Sequence, residues 1–289
     1  EVRSDDSKNK PTHFAVIFDS ARKNFRNEIY KDYKANRSEA PDDLAPQFEY
    51  IRKAVKAFNL PSIEQINYEA DDLIATYAKQ IISLGAKVTI ISSDKDLMQL
   101  VSNKIRLFDP MKSKVIGEKE VIEKFGVKPN QVIDVQSLAG DSSDNIPGVP
   151  GIGIKTASEL INKFKTLENL LKKAGEIPQK KRKETLINNK DLALISKKLV
   201  TLKDDVPIKN KIDTFDIKKV DKNKLYEFLR EMEFNRLLSQ AINFYGEPEG
   251  KVVQQNTKLT SKKIDVAKYK TINKITDLDK LIKNLEDKS

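Results

Sequence analysis

The sequence predicts an α/β protein: a mostly parallel twisted sheet flanked by helices, followed by a wholly helical extension. Three observations predict it. Residues 14–18 (Phe-Ala-Val-Ile-Phe) and 88–91 (Val-Thr-Ile-Ile) are short apolar runs bounded by polar residues, the mark of strands buried on both faces. Acids follow each run, Asp19 after the first and Asp94 and Asp96 after the second, at the end of a parallel sheet where ligands bind. Beyond Glu118 the periodic stretches, as far as Tyr245, have helical spacing.

In order, the chain opens on Glu1 and a polar stretch, as a fragment whose start lies elsewhere would. Residues 21–37 mix basic and aromatic side chains, and Arg26, Tyr30, Tyr33, Lys34 and Arg37 fall on one face at helical spacing. From Leu44 a core-facing helix is expected, with Pro41-Asp42-Asp43 as its start signal and Leu44, Phe48, Ile51, Val55 and Phe58 turned inward. Tyr68-Glu69-Ala70-Asp71-Asp72 sets three acids at the opening of the next helix, where the helix dipole favours them on structural grounds alone. Leu73, Tyr77, Ala78, Ile81 and Ile82 face inward there, and Gly85 ends it. Asp94-Lys95-Asp96 after a strand suits a divalent cation and equally suits a polar turn.

A third strand is expected over 105–108 with a short return at Val115 and Ile116. Helices are expected over 118–125, 129–139, 155–164, 167–174, 180–188, 192–202 and 222–238. Residues 246–268 are polar and aperiodic and read as a linker. The last stretch, 269–289, holds a strand at Tyr269–Ile272 and an amphipathic helix bearing Leu278, Leu281, Ile282 and Leu285, too little to fold alone.

The run 140–157 combines two features. Asp141 and Asp144 sit three apart after a helix, so their carboxylates can share a cation. Pro147, Gly148, Pro150, Gly151 and Gly153 then make a tight turn before Lys155 and Thr156 open a new helix, a place where backbone N–H groups face an anion. Either half alone is commonplace. Their fusion suggests a protein that handles phosphodiesters with metal ions.

Composition narrows the chemistry. With 289 residues and 38% hydrophobic content the chain can bury a sizeable core. A net charge of +10 suits a phosphate-rich partner. No cysteine is present, which excludes disulfides, thiolate metal sites and cysteine nucleophiles. His13 is the single histidine, so a metal would be held by oxygen ligands, pointing to magnesium or manganese. No membrane-spanning run and no signal peptide are visible, so a cytoplasmic protein is the default.

Asp19, Glu69, Asp71, Asp72, Asp94, Asp96, Asp141 and Asp144 all lie at strand or helix ends, which meet if the strands are parallel. Two carboxylates about 4 Å apart repel by roughly 4 kcal/mol at an effective dielectric near 20, so the cluster needs counter-ions. Two divalent ions there could activate water and stabilise the leaving oxygen of a phosphodiester without histidine or cysteine.

Tyr68-Glu69-Ala70-Asp71-Asp72, Ser93-Asp94-Lys95-Asp96 and the run Gly140-Asp141-Ser142-Ser143-Asp144-Asn145-Ile146-Pro147-Gly148-Val149-Pro150-Gly151-Ile152-Gly153 resemble the signature blocks of the 5′-nuclease domain of bacterial DNA polymerase I, kin to flap endonucleases. Phe18-Asp19, Phe25-Arg26 and Tyr33-Lys34-Ala35-Asn36-Arg37 are similar to its preceding blocks, and the resemblance spans about residues 12–245. It implies a PIN-like fold with a helix–hairpin–helix, and a structure-specific nuclease acting on DNA with 5′ flaps, nicks or RNA primers, as a monomer. Asp19, Glu69, Asp71, Asp72, Asp94 and Asp96 would bind or support the metal pair, and Asp141 and Asp144 its second metal. Asp94, Lys34 and Arg37 would be catalytic, the latter two touching the scissile phosphate. Arg26, Tyr33, Lys34 and Arg37 would line the arch for a 5′ strand. Gly148, Gly151, Gly153, Lys155 and Thr156 would hold the duplex backbone, with a potassium ion in the turn.

The implied organisation is a nuclease core over 1–120, lacking an upstream strand with a further metal-binding aspartate, a helical DNA-binding region over 121–245, the linker, and from 269 the start of a proofreading-exonuclease-like domain. The alternatives are a catalytically incomplete DNA-binding module and a small single-strand ribonuclease of the same sheet type. The latter would need neither hairpin nor arch.

Overall fold

The computed structural model describes residues 10–248, 272 and 274–286. β1 (Val16–Ile17) pairs in parallel with β2 (Ser62–Ile63), Val16 opposite Ser62 and Ile17 opposite Ile63. β3 (Val88–Ile91) pairs in parallel with β4 (Ile105–Asp109), and β5 (Lys114–Ile116) returns antiparallel to β4. Parallel pairing is therefore as expected, but among the described residues it forms two separate ladders.

Both apolar runs are less buried than strands covered on two faces would be. Residues 14–18 are all half-buried, and in β3 only Ile90 is buried. The reason is position: each is an edge strand of a short ladder. β1 is also shorter than its run, because the Phe14 N–H leaves the ladder to donate to Phe215 O at 2.8 Å.

The expected helix over 21–37 is only α1 (Arg26–Ile29), followed by turns in which Lys34 has φ +55°. Tertiary bonds outcompete helical ones here: Lys34 N–H donates to Asp144 O at 2.9 Å, Asn36 Nδ2 to Ser142 O at 2.7 Å and Asn145 Nδ2 to Asp32 O at 2.7 Å. α2 (Gln47–Ala57) starts later than its start signal, and Leu44, Phe48 and Ile51 are exposed. Only its C-terminal part, Ala54, Ala57 and Phe58, joins a core.

α3 (Ala70–Ser83) opens with a capping box between Glu69 and Asp72 and buries Leu73, Tyr77 and Ala78. The helical region comprises α4 (Glu118–Phe125), α5 (Val132–Ala139), α6 (Ile154–Phe164), α7 (Leu167–Lys172), α8 (Lys180–Asn188), α9 (Lys190–Val200), α10 (Lys222–Glu231) and α11 (Asn235–Tyr245). The continuous helix expected over 222–238 is broken where Glu233 takes φ +55° and Phe234 N–H closes onto Leu229 O at 2.9 Å. α12 (Ile275–Glu286) realises the last expected helix. The linker beyond residue 248 and the strand expected from Tyr269, except Ile272, lie outside the described residues.

One apolar core runs from Ala75 and Ala78 of α3 through Ile90 and Leu107 to Val121, Leu138, Ile161, Leu170 and Leu186. The sheet and the helices after it are thus joined by shared burial, and the boundary expected at 120/121 falls inside that core. This shared burial fixes the hairpin's helices relative to the acids. No helix among the described residues is long and apolar enough to cross a membrane.

Candidate metal centre and hairpin

Six of the eight acids line one cavity of about 110 Å³: Asp19, Glu69, Asp71, Asp94, Asp96 and Asp144. Asp19, just past β1, accepts the Ala70 N–H at 2.7 Å through Oδ1, tying the end of β1 to the start of α3. Glu69 caps α3 and Asp71 lies in its first turn. Past β3, Asp94 N–H donates to Ser92 Oγ at 3.0 Å, and Asp94 Oδ1 accepts the Asp96 N–H at 2.8 Å. Tight turns thus hold both acids at the strand end.

Crowding shows in their titration. Burial, then the charges of Asp94, Glu69, Asp19 and Asp96, push the Asp71 carboxyl up to about 8. Burial and Asp94 raise Asp96 to about 6 against the opposing bond from Gln136. Basic groups enter the same cavity: Lys34 Nζ lies 2.6 Å from Glu69 Oε1 and 3.6 Å from Asp144 Oδ2, and the Arg37 guanidinium bonds Asp144 Oδ1. Tyr33 donates its hydroxyl to Glu69 at 3.2 Å, and burial with the Glu69 charge raises its pKa.

Two acids stand apart. Asp72 is fully buried and accepts two 2.7 Å bonds from Arg26, the Lys203 N–H at 2.8 Å and the Glu69 N–H at 3.1 Å. Its acceptor capacity is used by protein donors, which corrects its expected place among the metal-binding acids. Asp141, 7% exposed, pairs with Lys95 Nζ at 2.5 Å outside the cavity lining. Burial opposes its ionisation, but Lys95 and the Ser143 N–H outweigh this and hold its pKa below the usual range.

Arg26 and Tyr33 also differ from expectation. Arg26 lines the cavity but is 1% exposed, and it donates to Leu199 O at 2.8 Å besides Asp72, so it is a buried tie between α1, α3 and α9. Tyr33, 4% exposed, is a support for Glu69. Lys34 and Arg37 do meet, but on a turn and through the carboxylates, not along one helical face.

In the hairpin, Gly148 is buried and its N–H donates to Ser196 Oγ at 2.9 Å. A Cβ there would lie 2.4 Å from Gly140 N, so this glycine permits close backbone packing and does not face a ligand. Gly151 (φ +75°), Gly153 and Lys155 are exposed and Thr156 is half-buried, at the N-terminus of α6. This is the part of the turn open to an anion.

Three partners escaped sequence reasoning. Gln136 donates to Asp96 Oδ1 at 2.5 Å, buried Asn24 donates to Glu69 Oε1 at 2.8 Å, and Ser196 fixes Gly148. Gln136 and Ser196 sit on buried helix faces, where periodicity reads them as interruptions of an apolar stripe. Lys95, the partner of Asp141, stands between Asp94 and Asp96, a signal visible in the sequence.

An all-oxygen donor set in which the Asp71 and Asp96 carboxyls are raised by burial and neighbouring acids fits a hard divalent cation. Among the described residues no group of three or more acids stands as a ready-made metal-binding group. Magnesium does not require one, since it keeps several waters and takes one or two carboxylates.

Known proteins are similar to this chain in sequence and in fold. A family model described as the 5′-3′ exonuclease N-terminal resolvase-like domain matches residues 5–126, and one described as the 5′-3′ exonuclease C-terminal SAM fold matches residues 127–223. DNA polymerase I of Rhizobium leguminosarum is 52% identical over 237 residues, covering 82% of this chain and 23% of that protein. A 5′-3′ exonuclease of Aquifex aeolicus (strain VF5) is 40% identical over 237 residues, covering 81% of this chain and 79% of that one. The chain thus spans about a quarter of its polymerase relatives, 23% and 27% for the first two. The T5 5′-exonuclease with bound divalent metal ions (zinc) superposes with TM-score 0.59 at 24% identity, over 81% of this chain and 84% of that one. The catalytic core of Rad2 with DNA substrate gives 0.52 at 18% identity, over 78% and 77%. Both likenesses show the fold: a PIN-like α/β region and a helical extension.

Proposed function

The chain belongs to the 5′-3′ exonuclease family, and from that premise we propose that it is a magnesium- or manganese-dependent nuclease that removes 5′ flaps and RNA primers as part of a DNA polymerase I. The observation that carries this reading is the single cavity shared by six carboxylates with Lys34 and Arg37. Family membership makes the chain a nuclease, a hydrolase acting on DNA. The choice of metal, the use of two ions and the flapped substrate are this reading's own.

Asp19, Glu69, Asp71, Asp94, Asp96 and Asp144 would hold the ions, and Asp141 could join them by exchanging Lys95. When bound, the ions supply an activated water and stabilise the leaving oxygen. Lys34 and Arg37 present positive charge at the same cavity, where a phosphodiester gains negative charge as it is attacked. Asn24 and Tyr33 orient Glu69, and Gln136 orients Asp96. Gly151, Gly153, Lys155 and Thr156 would seat the duplex backbone at the open N-terminus of α6, with a potassium ion in the turn. Contacts of that kind position a duplex without reading its bases.

The test is cleavage of a 5′-flapped duplex with magnesium or manganese, with chelator as control. Release of the flap near the junction, stopped by chelator, is expected. Tight duplex binding with no cleavage under either ion would instead support the catalytically incomplete binding module.

A further inference from the structure

The chain's positive charge is not spread evenly. Residues 172–190 carry seven basic and two acidic residues, net +5, which is half of the whole excess of +10. Lys172, Lys173, Lys180 and Lys181 are exposed, and Arg182 and Lys183 half-buried. None of the six makes an ion pair among the described residues, whereas Lys197 nearby in sequence is matched by Asp134 at 2.7 Å and Glu168 at 2.6 Å.

Their placement does not serve the helix. Lys180 to Lys183 fill the first turn of α8, which has no acid in that turn and no side-chain cap. Cations at the positive end of a helix dipole and beside one another are unfavourable. The patch is nonetheless held in place: Leu170, Ala174, Ile177 and Leu186 bury α7, the turn after it and α8 in the same core as Leu160 and Ile161 of α6.

On the reading that this chain acts on DNA, we propose that α7 and α8 form a second surface for the duplex phosphate backbone, apart from the hairpin turn at Gly151 to Lys155. A row of regularly charged phosphates suits cations in such excess over the two acids of the stretch, Glu176 and Glu184, and with no ion pair among the described residues to hold them elsewhere. The surface binds without sequence preference and extends the length of duplex held.

The experiment compares the parent chain with Lys180→Ala/Lys181→Ala/Lys183→Ala, with Lys172→Ala/Lys173→Ala, and with Lys155→Ala. Duplex affinity is measured against salt for two unrelated sequences. The triple variant is expected to lose about three units of slope in log K against log salt, near 0.9 per phosphate contact. It should bind at least about tenfold more weakly at moderate salt, equally for both sequences. Its melting temperature should hold or rise, because three cations leave the wrong end of a helix, and this separates lost contact from lost fold. The double variant should lose about two units. Parental affinity and slope in both variants, with loss confined to Lys155→Ala, would overturn the second surface while leaving the nuclease reading intact. A parent chain that binds no duplex would overturn both.

Discussion

Arg26 grips Asp72 through two parallel hydrogen bonds of 2.7 Å, with Arg26 1% exposed and Asp72 not exposed at all. Removing one partner would leave an uncompensated charge in the interior, at a cost of about 3–5 kcal/mol. Asp72→Asn is therefore expected to lower stability by that order in denaturant melts. The surviving folded protein should keep its metal affinity by calorimetry. A parental melt with weakened metal binding would return Asp72 to the metal ligands.

Asp94 has the opposite character. It is exposed to the cavity, and its expected role is at the reacting centre. Asp94→Asn should nearly abolish flap cleavage while duplex binding and the melting temperature stay near parental. Cleavage at the parental rate would remove Asp94 from the catalytic set.

On the proposed reading a substrate phosphate would compete with the carboxylates for Lys34, whose ammonium lies 2.6 Å from Glu69 Oε1. Loss of a transition-state stabiliser typically costs about a hundredfold or more in rate. Lys34→Ala should show a loss of that scale in single-turnover cleavage, with binding only slightly weakened. Equal losses in rate and binding would make Lys34 a ground-state contact.

The raised carboxyls predict a pH dependence. Folded Asp71 titrates near 8 and Asp96 near 6, against 3.8 for an ordinary aspartate. Between these values the folded state keeps protons that the unfolded chain has released, so stability falls as pH rises through that window. In chelator, the melting temperature should drop by several degrees from pH 5 to pH 8. Excess magnesium, which binds the ionised carboxylates, should flatten the profile. A flat profile in chelator would mean that the acids are not crowded in solution.

Much of this protein was written locally. The helices at Glu118–Phe125 and Lys180–Asn188 follow from hydrophobic spacing and fall at the expected bounds. The acids that gather at the cavity were legible because they stand at element ends, and parallel pairing brings such ends together. Tertiary structure decided what local spacing could not. Residues 30–37 have helical periodicity, yet bonds from Lys34, Asn36 and Asn145 across to the 142–145 segment pull them into turns. Asp72 lies one residue from Asp71 and differs from it only in direction: the helix turns Asp71 toward the cavity and Asp72 toward Arg26, 46 residues away in sequence. Gly148 and Gly151 read alike in the chain, but one meets Gly140 and Ser196 while the other meets open space. A residue's type and spacing set which face it occupies. Which partner waits on that face is set by long-range packing, and that packing leaves one acid lining the cavity and makes its neighbour a buried counter-ion.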